Sequence, residues 1–480
     1  MNKLSHTRAL ARNLTLLAAL TGILLYATIH WGGVVREDRS VYLLALGLVA
    51  LCAGLWRAGT QGATKLNPIF RWLLPLLPAY AALQIIPLPS GLVAVLSPAR
   101  GQVLALLGPL GATAPYASLS VFPSGTLQYL LLISGYVTVF LLVRELMWFF
   151  SDRRWLLALP LVGIATWQAV LGMTQYWSAG DSVARGNYAN RNHFAGLLEL
   201  ALPFAIAYPL AFFRGGHRRT GIPAPDALKI SVSWAIAAAL LAGIMFSLSR
   251  MGFVSAIFSL FVMGGLVVLS SRPARWIATG AKKWAVIGVV AILLLITFLF
   301  LPPDQLVQRF ARIASDEGNQ EGRAVLWRDT LGLIRAYPVF GCGLGGYESA
   351  FPKYKVSGPL VSDDHAHNDY LQFLAEMGVM GAAILLVLGA TTVRAAFRGV
   401  FSASDPGAWS LALACTGSLS AILLHSTADF NLYIPANAMV VSWVAAMATA
   451  LPPPHVIHMT DTNQVEGANW GLKSKSALIY

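Results

Sequence analysis

The sequence predicts an all-α protein that crosses a membrane many times. Three observations lead to this fold class: the composition, the recurrence of long apolar runs, and the placement of basic residues between those runs. Of the 480 residues, 56% are hydrophobic and only 11% are charged, and the mean hydropathy is +0.64. A soluble domain carries about 25% charged residues. The composition therefore favours a polytopic membrane protein over a soluble enzyme.

The chain is also strongly basic, with a formal net charge of +13 and an isoelectric point of about 9.8. Because the basic residues lie between apolar runs, membrane topology and anionic lipid explain them better than nucleic acid does. The sequence has no nucleic-acid-binding motif. Its cysteines, Cys52, Cys342 and Cys415, lack a CxxC spacing, so neither a disulfide framework nor a zinc site is indicated.

About twelve apolar runs are long enough to cross a membrane, because a transmembrane helix needs about 17–25 mostly apolar residues. The predicted spans are residues 14–30, 42–56, 72–88, 127–143, 155–176, 194–213, 230–248, 252–269, 284–301, 370–393, 409–425 and 434–451. They divide the chain into a first group of spans within residues 1–301, a long loop at 302–369, a second group within 370–451, and a tail at 452–480.

The distribution of Lys and Arg between the spans predicts their orientation. If the N-terminus is cytoplasmic, every cytoplasmic connection is rich in basic residues and most of the opposite connections are poor in them. The basic connections lie at 57–71, 144–154, 214–229, 272–283 and 394–398. This alternation predicts two cytoplasmic termini and an exoplasmic 302–369 loop.

Three arginines break this pattern. Arg185 and Arg191 lie in "ARGNYANRNHFAG", and Arg250 lies in "SLSRMGF", all on the predicted exoplasmic side. An anionic ligand at that face would explain them, and ordinary loop arginines at the headgroup level are the alternative. Further ionisable residues on the same side are His365, His367, His425 and Asp429.

The long loop contains two recognisable patterns. "EGRAVLWRDTLGLIRAY" has apolar residues close to helical spacing, which predicts an amphipathic helix that stops at Pro338. "GCGLGG", at residues 341–346, matches the GxGxxG pattern, but the loop is too short for the strand–helix–strand unit that a dinucleotide site requires. We therefore interpret these glycines as a flexible hinge.

"DDHAHNDY", at residues 363–370, collects ionisable side chains just before a predicted span. Asp363, Asp364, His365 and His367 could bind Mg or Mn. Asp363 or Asp364 could instead cap the helix. One histidine could act as a general base, because an imidazole titrates near neutral pH. The two histidines would face different ways on a helix, so at most one should be the base.

Taken in order, these stretches resemble the motifs of the O-antigen ligase and polymerase superfamily. The resemblance covers residues 84 to 437 and rests on "LQIIPLPSGLVAVLSP", "RGNYANRNHFAG", "SLSRMG", "GRAVLWRDTLGLIRAYPVFGCGLGGY", "HAHNDYLQFLAEMGVMG" and "HSTADFNLYIPANA". It implies a glycosyltransferase of the C-type fold class in the bacterial inner membrane. Such an enzyme takes a glycan from undecaprenyl diphosphate on the periplasmic side, and the resemblance implies neither a metal nor a cofactor.

The resemblance also implies roles for single residues. His367 matches the family's essential histidine, which would serve as the base, and Arg185 and Arg250 match arginines that would bind the diphosphate. The chain has Arg191 between two asparagines where the ligase pattern often has Asn-Pro-Asn, so the choice between Arg185 and Arg191 stays open. The supporting residues are His365, Asn368, Asp369 and Asp429. Either aspartate could orient the base, although a local pair of Asp429 with His425 explains those two residues equally well.

Several functions remain open at this point. A ligase, a polymerase and a protein O-oligosaccharyltransferase differ only in the acceptor, which is lipid A core, a growing glycan or a protein. A lipid-linked glycan transporter or flippase belongs to another class and would place ionisable residues within its spans. The candidate residues of this chain cluster at one membrane face instead, and Glu199 and Glu376, a turn or two into their spans, keep the transporter alternative open.

Overall fold

The structure is a computed structural model that describes residues 3–57, 66–110, 114–178, 183–214, 223–270, 317–356, 363–403 and 405–451. The helices in those ranges are α1 (Lys3–Ile29), α2 (Arg36–Arg57), α3 (Pro68–Ile85), α4 (Ser90–Leu96), α5 (Pro98–Ala105), α6 (Pro123–Phe149), α7 (Leu159–Ser178), α8 (Arg191–Arg214), α9 (Ala224–Phe246), α10 (Arg250–Ser270), α11 (Glu317–Ala336), α12 (Tyr347–Ala350), α13 (Asp369–Ser402), α14 (Pro406–His425) and α15 (Pro435–Ala450). Two short strands, β1 (Leu88–Pro89) and β2 (Tyr116–Ala117), pair antiparallel between α3 and α6.

Nine helices within the described ranges are long and apolar enough to cross a membrane: α1, α2, α6 to α10, α13 and α14. The prediction of an all-α polytopic membrane protein is therefore confirmed. α3 and the 16-residue α15 lie at the third and twelfth predicted spans. The predicted span at 284–301 and the tail at 452–480 lie outside the described residues, so the count of twelve spans stays a prediction.

α8 and α14 form the centre of the bundle. Their most apolar stretches are 67% and 78% buried, whereas the corresponding stretch of the peripheral α2 is only 17% buried. Small residues allow close helix contacts in such bundles. At Gly252 in α10, a Cβ would come within 2.6 Å of the side chain of Ala195 in α8. The first turns of α8 and α10 therefore lie side by side.

The amphipathic helix predicted in the long loop is present as α11. It ends just before Pro338, as the sequence predicts. Its buried residues Leu326 and Leu333 pack with Tyr347 in a small core of their own, separate from the main core of the bundle. Protein contacts thus hold α11 in place next to the spans.

The polypeptide of α13 is interrupted at Gly378, which has φ of 60° and ψ of −172°. Such a break frees backbone groups that a continuous helix would pair. The glycine-rich segment at 341–346 forms hydrogen bonds with these groups. The amide of Gly343, for example, donates to the carbonyl oxygen of Glu376 at 3.0 Å. A span and a loop are therefore joined by backbone hydrogen bonds.

The carboxylate of Glu376 holds the same segment. It accepts hydrogen bonds from the amides of Gly345 and Tyr347, at 2.9 and 3.1 Å, and from the hydroxyl of Tyr433 at 2.8 Å. The glycines are needed because Gly341, Gly343 and Gly345 all have positive φ. The prediction that this segment is a flexible hinge is wrong, since it is packed and hydrogen-bonded along its length.

Candidate functional site

His367 lies in the turn that leads into α13. Its backbone is left-handed, with φ of 47°, which is uncommon for a residue with a Cβ. The next residue, Asn368, caps the helix, because its side-chain oxygen accepts a hydrogen bond from the amide of Leu371 at 3.1 Å. The prediction that Asp363 or Asp364 caps this helix is wrong, since the turn at His367 separates both from its first residue.

The start of α13 is fixed to the loop that follows α14. The side-chain amide of Asn368 donates to the carbonyl oxygen of Thr427 at 2.8 Å. The carboxylate of Asp369 accepts hydrogen bonds from the hydroxyl of Ser426 at 2.7 Å and from the amide of Leu432 at 3.2 Å. Asp369 therefore joins the two segments and has its own partners.

The imidazole of His367 faces Asp429, with 3.5 Å between Nδ1 and Oδ1. The side chain of His367 is 33% exposed, whereas that of Asp429 is 1% exposed. Of the two aspartates predicted as possible orienting residues, Asp429 is the one in position. One edge of the imidazole can thus meet a substrate while the other meets a buried carboxylate.

Several groups converge on the carboxylate of Asp429. The side-chain amide of Asn192 donates to Oδ2 at 2.6 Å, the amide of Phe430 donates to Oδ1 at 2.9 Å, and Nε2 of His193 lies 3.5 Å from Oδ1. Burial alone would raise the pKa of Asp429, but the neighbouring imidazoles of His193 and His367 bring this pKa well below its usual range. Asp429 is therefore ionised at neutral pH.

His365 lies beside His367 but has a different carboxylate partner. Its ring stacks on Phe430, with centroids 4.0 Å apart and planes 8° apart. Its Nδ1 lies 3.2 Å from Oδ2 of Asp364, and this close imidazole is the main cause that lowers the pKa of Asp364. Phe430 thus contacts both imidazoles, and Asp429 faces that of His367.

α11 lies against the turn that carries the two histidines. The indole Nε1 of Trp327 donates to the carbonyl oxygen of Ala366 at 3.0 Å. One turn earlier, Nη1 of Arg323 donates to the carbonyl oxygen of Ala428, also at 3.0 Å. Neither residue is predicted from the sequence to belong to the site. The available signal was an arginine and a tryptophan four apart on one face of an amphipathic helix.

Arg191 and Arg250 are the first residues of α8 and α10. Asn190 and Ser249 precede them, and their side-chain oxygens accept hydrogen bonds from backbone amides at 2.9 and 3.2 Å. A cation at a helix N-terminus opposes the helix dipole, whereas an anion is favoured there. The first turns of these two helices are neighbours. An anion bound there would therefore offset the unfavourable interaction of each arginine with the dipole of its own helix.

Arg185 is exposed in the loop at 183–190 that precedes α8. The amide of Ala184 donates to the carbonyl oxygen of Phe246 at 2.9 Å, which ties this loop to the end of α9 and the turn before Arg250. The structure therefore brings the segments of Arg185, Arg191 and Arg250 to the same end of the bundle. It leaves the choice between Arg185 and Arg191 open.

Two buried acids that favoured a transporter have protein partners. The carboxylate of Glu199 accepts a hydrogen bond from Nδ1 of His425 at 3.0 Å, and both side chains are 0% exposed. The suggested pairing of His425 with Asp429 is therefore wrong, because the ring at the end of α14 points to α8 instead. Glu376, the second acid, accepts hydrogen bonds from the backbone amides of Gly345 and Tyr347.

The residues of the alternative metal site are engaged elsewhere. Asp363 forms an ion pair with Lys355, with 2.7 Å between Oδ2 and Nζ, and Asp364 pairs with His365. Within the part of the chain that the structure describes, no group of three or more His, Cys, Asp or Glu side chains is arranged to hold a metal ion. Independence from metal stays a prediction.

Comparison with known proteins gives one family. A family model described as O-antigen ligase matches residues 235–386. The matched range contains Arg250, α11 and His367, whereas Arg185, Arg191 and Asp429 lie outside it. No curated protein matches the chain. The family match confirms the resemblance that the sequence motifs indicate.

Proposed function

We propose, from the premise that the chain belongs to the O-antigen ligase and polymerase superfamily, that it is a glycosyltransferase of the bacterial inner membrane. It transfers a glycan from undecaprenyl diphosphate to an acceptor hydroxyl, on lipid A core or a similar carrier, at the periplasmic face. The observation that carries the proposal is the partly exposed imidazole of His367 beside the buried carboxylate of Asp429.

His367 acts as the general base. The carboxylate of Asp429 favours the tautomer that carries its proton on Nδ1, which leaves Nε2 free to accept the proton of the acceptor hydroxyl. As the hydroxyl oxygen attacks the anomeric carbon, the imidazole gains a positive charge that the carboxylate stabilises. General-base assistance of this kind contributes about 10²–10⁴-fold to a rate.

Arg250, together with Arg185 or Arg191, acts on the leaving group. Breaking the bond between sugar and phosphate increases the negative charge on the undecaprenyl diphosphate. Guanidinium groups are always ionised and can bind phosphate through two parallel hydrogen bonds. The N-terminal ends of α8 and α10 add backbone amides and a favourable dipole for the same anion.

A polymerase of the same family is the alternative, and it uses the same donor and the same base. The two differ in the acceptor, which is a growing glycan for the polymerase and lipid A core for the ligase. The two acids that kept the transporter alternative open have protein partners, since Glu199 pairs with His425 and Glu376 binds the glycine-rich segment.

The proposal is tested with the full chain in proteoliposomes that contain an undecaprenyl-diphosphate-linked glycan and, in parallel, lipid A core or a free glycan acceptor. We expect transfer by the wild-type protein and donor binding without transfer by His367→Ala. Movement of the donor between leaflets with no glycosidic product would overturn the proposal in favour of transport.

Deletion of the gene separates ligase from polymerase. Loss of a ligase leaves glycan chains that lengthen but stay on the lipid carrier. Loss of a polymerase leaves single repeat units. Gel electrophoresis of lipopolysaccharide and of the lipid-linked fraction distinguishes the two results.

A further inference from the structure

Two imidazoles approach one carboxylate oxygen in the candidate site. Nε2 of His193 and Nδ1 of His367 each lie 3.5 Å from Oδ1 of Asp429. The same oxygen accepts the amide hydrogen of Phe430 at 2.9 Å. His193 belongs to the first turn of α8 and His367 to the turn before α13, so the carboxylate joins two separate segments.

The ring of His193 is buried and packs against an aromatic neighbour. Its side chain is only 6% exposed, and the ring packs edge-on against Phe430 with centroids 4.5 Å apart. Its backbone carbonyl accepts a hydrogen bond from the side-chain amide of Asn437 at 2.9 Å. His193 is therefore too buried to meet a substrate, and Asp429 is the acid that its Nε2 faces.

We propose that His193 limits the basicity of His367 by sharing the carboxylate of Asp429 with it. This inference rests on the proposed function, in which His367 is the base. When His193 carries a proton on Nε2, 3.5 Å from Oδ1, the negative charge of Asp429 is divided between two imidazoles, and less of it stabilises the imidazolium of His367. A base weakened in this way loses its proton at a lower pH and stays available for the next acceptor. His193 is thus a positioning residue that acts through Asp429.

Other ionisable groups surround this arrangement and contribute to its charge. Asp429, His425 and His365 interact electrostatically with the ring of His193, and Glu199 forms a pair with His425. His367 is influenced by Asp429 and Asp364. On neighbouring helices the charged groups are Arg191 at the start of α8 and Arg323 on α11. Among the described residues, Asp429 is the acid that pairs with both rings, which is why the experiment varies His193 alone.

The test compares two substitutions of His193 in the full chain. His193→Phe keeps a ring against Phe430 but removes the donor to Asp429. His193→Gln keeps a side-chain N–H donor that cannot titrate. Both are measured by the pH dependence of transfer in proteoliposomes and by the titration midpoint of the His367 ring. The midpoint comes from NMR of ¹³C-histidine-labelled protein in nanodiscs, with His367→Ala identifying that signal among the nine histidines.

We expect His193→Phe to move the acid limb of the rate profile and the NMR midpoint upward by about 0.5–1 pH unit, because the whole carboxylate charge then favours the imidazolium. His193→Gln should keep both at the wild-type position. If the Phe variant fails to fold, as judged by thermal unfolding in detergent, His193→Leu replaces it with the same expectation.

Three results separate the possibilities. If transfer falls in the Phe and Leu variants while the midpoint stays fixed, His193 only fills space and the inference is overturned. If Gln moves the midpoint as far as Phe does, hydrogen-bond donation is not the cause and the inference also fails. If the midpoint moves as expected but His367→Ala still transfers glycan, the shared carboxylate stands and the proposed role of His367 as base fails instead.

Discussion

The Nδ1 atom of His367 and the Oδ1 atom of Asp429 lie 3.5 Å apart, although α13 and α14 separate the two residues along the chain. The pairing arises because the turn before α13 and the loop after α14 meet at one end of the bundle. The amide of Asp369 donates to the carbonyl oxygens of both Ser426 and Asp429, at 3.0 and 3.2 Å. These backbone hydrogen bonds hold the turn that carries His367 against the loop that carries Asp429.

Replacement of His367 by alanine should lower the rate of glycan transfer by about 10²–10⁴-fold, because the acceptor hydroxyl then has no base. Donor binding should persist, since the arginines proposed to bind the diphosphate lie on other segments. The measurement is initial transfer rate in proteoliposomes, with binding of the lipid-linked donor scored separately. More than about a tenth of the wild-type rate in this variant excludes base catalysis by His367.

His365→Ala provides the matched control for His367→Ala. Both rings contact Phe430, but His365 pairs with Asp364 and not with Asp429. We expect measurable activity to remain in His365→Ala, reduced only by the lost ring stacking. Equal losses in both variants would mean that the two histidines act as one unit.

Asp429→Asn should reduce the catalytic rate constant by about 10²–10⁴-fold while the KM for the donor changes little, because an amide can hold the wrong tautomer of His367. Asp369→Asn is the comparison, since Asp369 binds Ser426 and Leu432 and has no pairing with His367. That variant should chiefly lower the melting temperature in detergent. A larger catalytic loss from Asp369→Asn than from Asp429→Asn contradicts the assignment.

The sequence predicts the fold class and the positions of most spans because apolar runs and basic connections are local signals. It also predicts α11 from helical spacing. It fails at residues 341–346, since whether glycines form a hinge or a packed turn depends on Glu376 and the break at Gly378, both far along the chain. No local pattern reveals that a carboxylate thirty residues away holds a loop.

In the candidate site, too, the sequence shows the local signals but not the contacts between distant segments. His367 stands out in its motif, but the roles of Asn192 and His193 emerge only where α8 meets Asp429. In "NRNHFAG" the sequence predicts a role for Arg191 but assigns none to Asn192 or His193. Four successive polar residues at the start of an apolar span were the available signal, because such residues are costly there unless they have partners.

Transfer activity should survive an excess of chelator. Asp363 is paired with Lys355 and Asp364 with His365, so both acids of the alternative metal site already have partners. The measurement is the transfer rate of purified protein after dialysis against EDTA. A loss of activity that Mg or Mn restores would revive the metal site, and Asp363→Asn would then have to lower the metal affinity.

The long loop should face the periplasm and both termini the cytoplasm, because the basic connections alternate with the spans. Val356 is 85% exposed, so an inserted reporter should be tolerated there. Alkaline phosphatase placed after Val356 should be active, and a fluorescent protein fused to the C-terminus should fold in the cytoplasm. The opposite pair of results reverses the orientation and moves the site to the other face.

The three arginines should differ in their contributions. Arg250→Lys keeps the charge but loses the planar fork, so transfer should fall by about 10–10³-fold if a guanidinium binds the diphosphate in a bidentate manner. Arg185→Ala and Arg191→Ala should be unequal, with the larger loss marking the residue that contacts the phosphate. Transfer rate and donor binding are measured together, because a diphosphate ligand affects both.

Arg328→Ala is the control for these variants. Arg328 lies on α11 near the same end of the bundle, and its side chain is 68% exposed beside Asp329. Because the Arg328 side chain is exposed and takes no part in the pairing of His367 with Asp429, its loss should leave the transfer rate close to that of the wild type. Arg191→Ala is measured beside it in the same transfer assay. A loss of transfer confined to Arg191→Ala identifies Arg191 as a diphosphate ligand, whereas a rate equal to that of Arg328→Ala means that Arg191 is an ordinary arginine at the start of α8.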